Sequence, residues 1–330
     1  MRKLSLLAFA IVSLFMTVSS LCAAPAPRLR IITTTFPLYD WTRQILVKHV
    51  REVELIQLQD NGIDLHNFQP TVRDIARISQ CDLFIFVGGE SDEWVEKALR
   101  SPRNTKRITL NLIKELGDAV QEEEPLEGME GHALHHHHDH DKKHDHDEDE
   151  HETDEHIWLS LRCATTLCRV IAAKLSELDK TNAAEYQANC GAYSEKLLAL
   201  DKSYMETVAA SARKTLLFAD RYPFRYMAND YGLTCFAAFS GCSAETEASF
   251  KTIAFLARKV DECKLRFVLV LENRQHRIAE TVVRTAKSKG VGILTLDSLQ
   301  ATTSRDAANG KSYLNVMEMN LAILKKALGN

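Results

Sequence analysis

Residues 186–208, YQANCGAYSEKLLALDKSYMETV, set Tyr186, Cys190, Tyr193, Leu197, Leu200, Tyr204 and Val208 at spacings of three and four. That spacing gathers the seven side chains on one stripe of an α-helix. The stretch has no proline and one glycine, so it predicts an amphipathic helix of about thirty residues, more than twice the usual length. On its N-terminal side, Arg30–Thr35, Val53–Gln57, Asp82–Val87 and Arg107–Leu110 read as strands, with helical segments at 37–50, from Thr71 towards Ser79, and at 93–99. On its C-terminal side the strand candidates are Thr215–Ala219, Thr234–Phe239, Phe267–Leu271 and Gly292–Leu296. Helices at 226–231, 249–263, 278–289 and 313–328 accompany them. Strands alternating with helices argue for parallel sheets. The expected fold is α/β: two Rossmann-like lobes, 28–180 and 214–330, joined by one linking helix over 181–213.

The 330 residues are long enough for two domains, and the composition, 45% hydrophobic and 26% charged with net charge −4, carries no nucleic-acid signature. Arg2 and Lys3 precede an apolar run from Leu4 to Val18, and SSLCAAP follows. That pattern predicts a secretory signal over residues 1–24, or an uncleaved or lipid-bearing anchor at the same end. The protein is therefore expected outside the cytoplasm, periplasmic or tethered. Seven cysteines follow Cys22: Cys81, Cys163, Cys168, Cys190, Cys235, Cys242 and Cys263. No spacing among them is a CxxC motif, so most read as small core residues. A disulfide among Cys235, Cys242 and Cys263 suits an oxidising compartment.

Residues 122–155 break the α/β pattern. Ten of the thirteen histidines lie between His132 and His156, interleaved with ten acids. Imidazole and carboxylate suit divalent metals, zinc above all. With no apolar periodicity and no core to fix its geometry, this loop should bind several ions loosely. Its low-affinity donors would be His132, His135, His136, His137, His138, His140, His144, His146 and His151. A tight site must come from elsewhere. His66 stands in the turn-rich loop NGIDLHNFQP, residues 61–70, between a strand and a helix, where open α/β sheets bind ligands. His156 stands where the polar loop meets the next helix.

LHNFQPT (65–71), CDLFIFVGG (81–89), DEW (92–94) and EHIWLS (155–160) together resemble the signature of metal-specific substrate-binding proteins of ABC transporters. The resemblance spans nearly the whole chain after its first residues. It implies two pseudo-symmetric lobes joined by a rigid helix, a metal in the cleft between them, and a membrane permease as partner. The acidic histidine-rich loop is similar to that of the zinc-specific branch of the family. His66 and His156 match the first two metal ligands, and Asp297 matches the fourth. The third ligand position falls on Arg221 in DRYPFRY, residues 220–226. Arginine is always protonated and cannot ligate a cation. Asp220 could replace it after a small backbone shift, or a water or loop histidine could complete the sphere. Arg221 could instead pair with an acid such as Glu272. The expected cargo is Zn2+, with Mn2+ or iron as the alternative, bound by a monomer that is not an enzyme. No HExxH or GxSxG motif supports a metallohydrolase. An envelope zinc buffer or adhesin, with the loop as its main function, is the remaining alternative.

Overall fold

The computed structural model describes residues 29–100, 102–129, 153–243, 247–272 and 276–329. The expected signal or anchor at residues 1–24 and the nine low-affinity loop histidines lie outside these residues. No helix among the described residues is long and apolar enough to cross a membrane.

The N-terminal sheet contains β1 (Arg30–Thr33), β2 (Glu54–Gln57), β3 (Leu83–Phe86) and β4 (Ile108–Asn111), all parallel, in the order β2-β1-β3-β4. The C-terminal sheet repeats the plan with β5 (Thr215–Tyr222), β6 (Thr234–Ser240), β7 (Phe267–Val270) and β8 (Gly292–Thr295), ordered β6-β5-β7-β8. Between β1 and β4 run α1 (Phe36–Leu46), α2 (Val72–Gln80) and α3 (Trp94–Leu99), with α4 (Leu112–Leu116) after β4. Two helices, α5 (Leu161–Leu178) and α6 (Ala183–Ala210), connect the sheets. In the second half lie α7 (Arg225–Tyr231), α8 (Phe250–Glu262), α9 (Arg277–Thr285), α10 (Ser304–Ala308) and α11 (Tyr313–Leu328).

The long helix is α6, 28 residues, and its seven-residue stripe is buried while Leu198 and Met205 on the other side are exposed. One apolar core runs from Ile31, Trp41 and Leu83 through Trp158, Tyr193 and Leu197 to Phe218 and Leu269, so both sheets rest on it. Their outer faces carry separate clusters, Phe84 with Ile78 in the first half and Val268 with Leu256 in the second. Each fully buried leucine or phenylalanine here contributes roughly 1.5–3 kcal/mol. The Tyr204 hydroxyl donates to the Met317 carbonyl at 2.6 Å and ties α6 to α11. Both halves thus share a continuous interior, and Arg221 near the carboxyl end of β5 reaches Asp64 in the loop after β2.

Two helices are shorter than their periodicity suggests. α1 stops at Leu46 because Val47 adopts φ +45°, and the chain goes on as a 3-10 turn to Arg51. α9 stops at Thr285, because the Asp261 carboxylate on α8 captures the amides of Lys287 and Ser288. The cysteines differ in a second respect. All seven described ones are free, five of them buried, and the disulfide expected among Cys235, Cys242 and Cys263 is not formed.

Candidate metal centre

The loop after β2 brings His66 to the carboxyl edge of the N-terminal sheet. Asp64 starts a 3-10 turn by accepting the His66 amide at 3.1 Å, and a Thr71–Asp74 capping box opens α2 just beyond. The His66 ring is aimed by Ser91, whose Oγ lies 2.7 Å from Nδ1. Ser91 is anchored in turn, its amide donating to Glu155 Oε1 at 2.6 Å. That approach requires a glycine beside it. Gly89 has φ +81°, and a Cβ there would stand 2.5 Å from Glu155 Oε1.

His156 precedes the 3-10 turn Ile157–Leu159 and is fully buried. Asp154 Oδ1 accepts both the His156 amide and its Nδ1, each at 2.9 Å. A carboxylate only accepts, so Nδ1 carries a proton and Nε2 is the atom that can face a metal, an arrangement common behind metal-bound histidines. Nε2 of His156 faces Nε2 of His66 at 3.3 Å. Two nitrogens on one tetrahedral zinc, each at about 2.05 Å, stand about 3.3 Å apart.

The electrostatics of the two rings differ. Burial, then the charge of His156, pushes His66 down to about 3. Burial also opposes a charge on His156, but the Asp154 carboxylate, with Glu155 and Glu123 nearby, outweighs it and raises its pKa. Two imidazolium rings cannot share this space, so the pair takes up at most one positive charge, and the raised pKa of His156 puts it there. Burial raises Glu155 as well, and takes Asp92, which accepts the Gly88 amide at 3.0 Å, up to about 7.

Three donor atoms converge among the described residues: those of His66, His156 and Cys242, all within 4.8 Å of one another. Asp220 and Asp297 do not belong to this group. The register of β5 slips between Phe218 and Arg221, and Asp220 uses the slip to accept the Leu271 amide at 3.1 Å beyond β7. Asp297 accepts the Leu299 amide at 2.8 Å and pairs with Lys311 at 2.7 Å. Arg221 pairs with Asp64 at 2.5 Å, not with Glu272, whose carboxylate instead accepts the amide and hydroxyl of Ser298. Burial opposes ionisation of Asp64, but the hydrogen bond and charge of Arg221 prevail and hold it below the usual carboxylate range. This pair joins the C-terminal half to the His66 loop. Arg221→Ala should lower the unfolding free energy by about 2–3 kcal/mol in a urea titration. That is less than the ~3–5 of a fully buried pair because both side chains keep some solvent contact.

The sequence pattern gave no reason to choose Cys242 over six other cysteines. The available signal was its position, one residue past a glycine at the carboxyl end of β6, where ligand-binding loops sit in parallel sheets.

Residues 31–327 match the model of the ZnuA family, described as zinc-uptake complex component A, periplasmic. The chain belongs to this family. ZnuA proteins are components of an uptake system, not enzymes. The chain is 32% identical over 330 residues to the zinc-binding lipoprotein AdcA of Streptococcus pneumoniae, covering 99% of this chain and spanning 61% of that relative's length. The high-affinity zinc uptake system protein ZnuA of Bacillus subtilis is 31% identical over 301 residues, 91% of this chain and 88% of that one. Among solved structures, the Zn(II)-bound ZnuA-like domain of S. pneumoniae AdcA superposes with a TM-score of 0.69 at 27% identity. It covers 92% of this chain and 100% of the domain. The two-lobe fold with its long helix is the ZnuA fold.

Proposed function

We propose that this chain captures zinc outside the cytoplasm, as a monomer, and delivers it to the permease of an ABC transporter. The observation that carries the reading is the His66–His156 pair, two Nε2 atoms facing each other at the separation a tetrahedral zinc imposes. The names of the relatives, zinc-binding and zinc-uptake proteins, and a Zn(II)-bound structural neighbour support zinc over manganese or iron. An N-terminal signal over 1–24 would export it, with a tether at that end as the alternative.

The histidine-rich loop would serve as a low-affinity collector. The described residues on its two sides support a role beside the pair. Glu122 and Thr153 form an antiparallel bridge, and Asp154 immediately follows to hold His156. Zinc titration by calorimetry on the parent, His66→Ala and a deletion of residues 131–152 tests this. The expected result is one tight site, lost in His66→Ala and kept in the deletion, which should lose only weak sites. Loss of the tight site with the loop, and its survival in His66→Ala, would instead make the protein a zinc buffer.

A further inference from the structure

We infer that Cys242 supplies the third donor to the zinc, making the centre a His2Cys site in which a thiolate replaces the ligand that Arg221 cannot provide. The inference rests on the reading of His66 and His156 as zinc ligands and adds the residue that sets the metal's softness. Its first support is convergence. Sγ of Cys242 joins the two imidazole nitrogens in a single group within 4.8 Å. A tetrahedral zinc with Zn–S of about 2.3 Å and Zn–N of about 2.05 Å would draw sulfur and nitrogen to about 3.6 Å, so the turn need close by only about an ångström.

The second support is how the turn is held. Gly241 presses on the His156 ring so closely that a Cβ would stand 2.8 Å from its Cε1, and any side chain there would push the two apart. From the other side, buried Glu123 accepts the amides of Gly241 at 2.7 Å and Cys242 at 3.4 Å. A carboxylate from residue 123 therefore hooks the end of β6 onto the histidine pair. The third support is that packing does not explain this cysteine. Cys81, Cys163, Cys168, Cys190 and Cys235 are buried in the apolar clusters and half-buried Cys263 packs against one, whereas half-buried Cys242 is in none of them.

The position left without a donor is accounted for as well. Arg221, at the place where the resemblance puts the third ligand, is turned to Asp64 and Gln300, so its charge is balanced by the Asp64 carboxylate beside His66. As the sulfur–metal bond forms, the thiol proton passes to solvent. A thiolate among the donors favours zinc and disfavours manganese, which takes oxygen ligands.

The test uses the full chain, reduced, with Zn2+ alone and Co2+ alone, in the parent, Cys242→Ser, Cys263→Ser and His66→Ala. The cobalt complex of the parent and of Cys263→Ser should show a thiolate-to-cobalt charge-transfer band in the near ultraviolet. Cys242→Ser should lose that band, keep the parent's melting temperature, and bind zinc roughly 100-fold or more weakly, at least what removing a group behind a ligand costs. Its preference for zinc over manganese should fall too. A parent complex without the band, or a Cys242→Ser affinity within about threefold of the parent while His66→Ala has lost its site, overturns the thiolate and leaves the histidine pair standing. Zinc binding by His66→Ala equal to the parent's removes the pair itself.

Discussion

His156→Ala should weaken zinc binding by roughly 100- to 1,000-fold in a chelator-competition titration. Structural zinc sites hold about 10–16 kcal/mol over some four ligands, so one ligand accounts for about 2.5–4 kcal/mol, and each 1.4 kcal/mol is tenfold. The same substitution should also destabilise the metal-free protein, which His66→Ala should do less. His156 is fully buried, and its ring is the nearer partner of the Asp154 carboxylate, at 2.9 Å. Without it, Asp154 retains only the more distant Arg225, at 3.4 Å, as a cationic partner among the described residues. A buried carboxylate that loses one of two partners should cost about 2–3 kcal/mol, below the ~3–5 of complete isolation. Asp154→Asn separates the two effects. It keeps the imidazole and an acceptor oxygen but removes the negative charge that holds the proton on Nδ1, so affinity should fall about 10- to 100-fold. If Asp154→Asn binds zinc as tightly as the parent, the carboxylate does not orient the ligand, and the assignment of His156 Nε2 as donor weakens with it.

The parts of this molecule that depend on repeating patterns were readable in the sequence. The stripe from Tyr186 to Val208 identified α6 because a long helix repeats its signal many times. The alternation of β-branched runs with helical segments identified two parallel sheets for the same reason. What failed was local. The end of α1 rests on a valine with positive φ, and the end of α9 on a carboxylate from another helix; neither leaves a periodic trace. The disulfide expectation came from compartment and spacing alone, but a bond needs two sulfurs in contact, and three-dimensional placement gave these cysteines other neighbours.

The site divides along the same line. His66 and His156 each sit at a loop beside a strand or helix and inside a motif, and the fold brings their Nε2 atoms to 3.3 Å. The acids were harder. Asp220 and Asp297 occupy suitable loops, but a carboxylate can as easily secure a neighbouring amide or lysine, and here both do. Which of these tasks an aspartate performs depends on distances across the two halves, among residues far apart in sequence. Cys242 leaves no mark in the sequence for the converse reason. It lies 86 residues after His156 and 176 after His66, and only the packing of Gly241 against the His156 ring puts its sulfur within reach.

Zinc affinity should fall steeply as pH is lowered from neutral, with a slope that counts the protons the metal displaces. The sign follows from the two rings. His156 has a raised pKa, so the metal-free centre holds a proton there below that value, and zinc must expel it. Affinity is thus insensitive to this ring above its pKa and falls about tenfold per pH unit below it. His66, pushed down to about 3, is neutral at these pH values and adds nothing to the slope. It acts instead on folding. Its pKa lies below that of an unfolded histidine, so its contribution to stability is complete above about pH 6.5 and is lost as pH falls towards 3. Burial and the carboxylates of Glu123, Glu155 and Asp154 raise the Cys242 thiol, so a sulfur–zinc bond would displace a second proton throughout this range. The parent should therefore show a slope of about one above the pKa of His156 and about two below it, while Cys242→Ser should show about zero and about one. Affinities measured at several pH values from 5.5 to 8 in both proteins decide the matter. Parallel curves would mean that the thiol keeps its proton and the metal takes its third donor elsewhere. A parent slope that stays at about one throughout would mean that no buried imidazolium stands in the way of the metal.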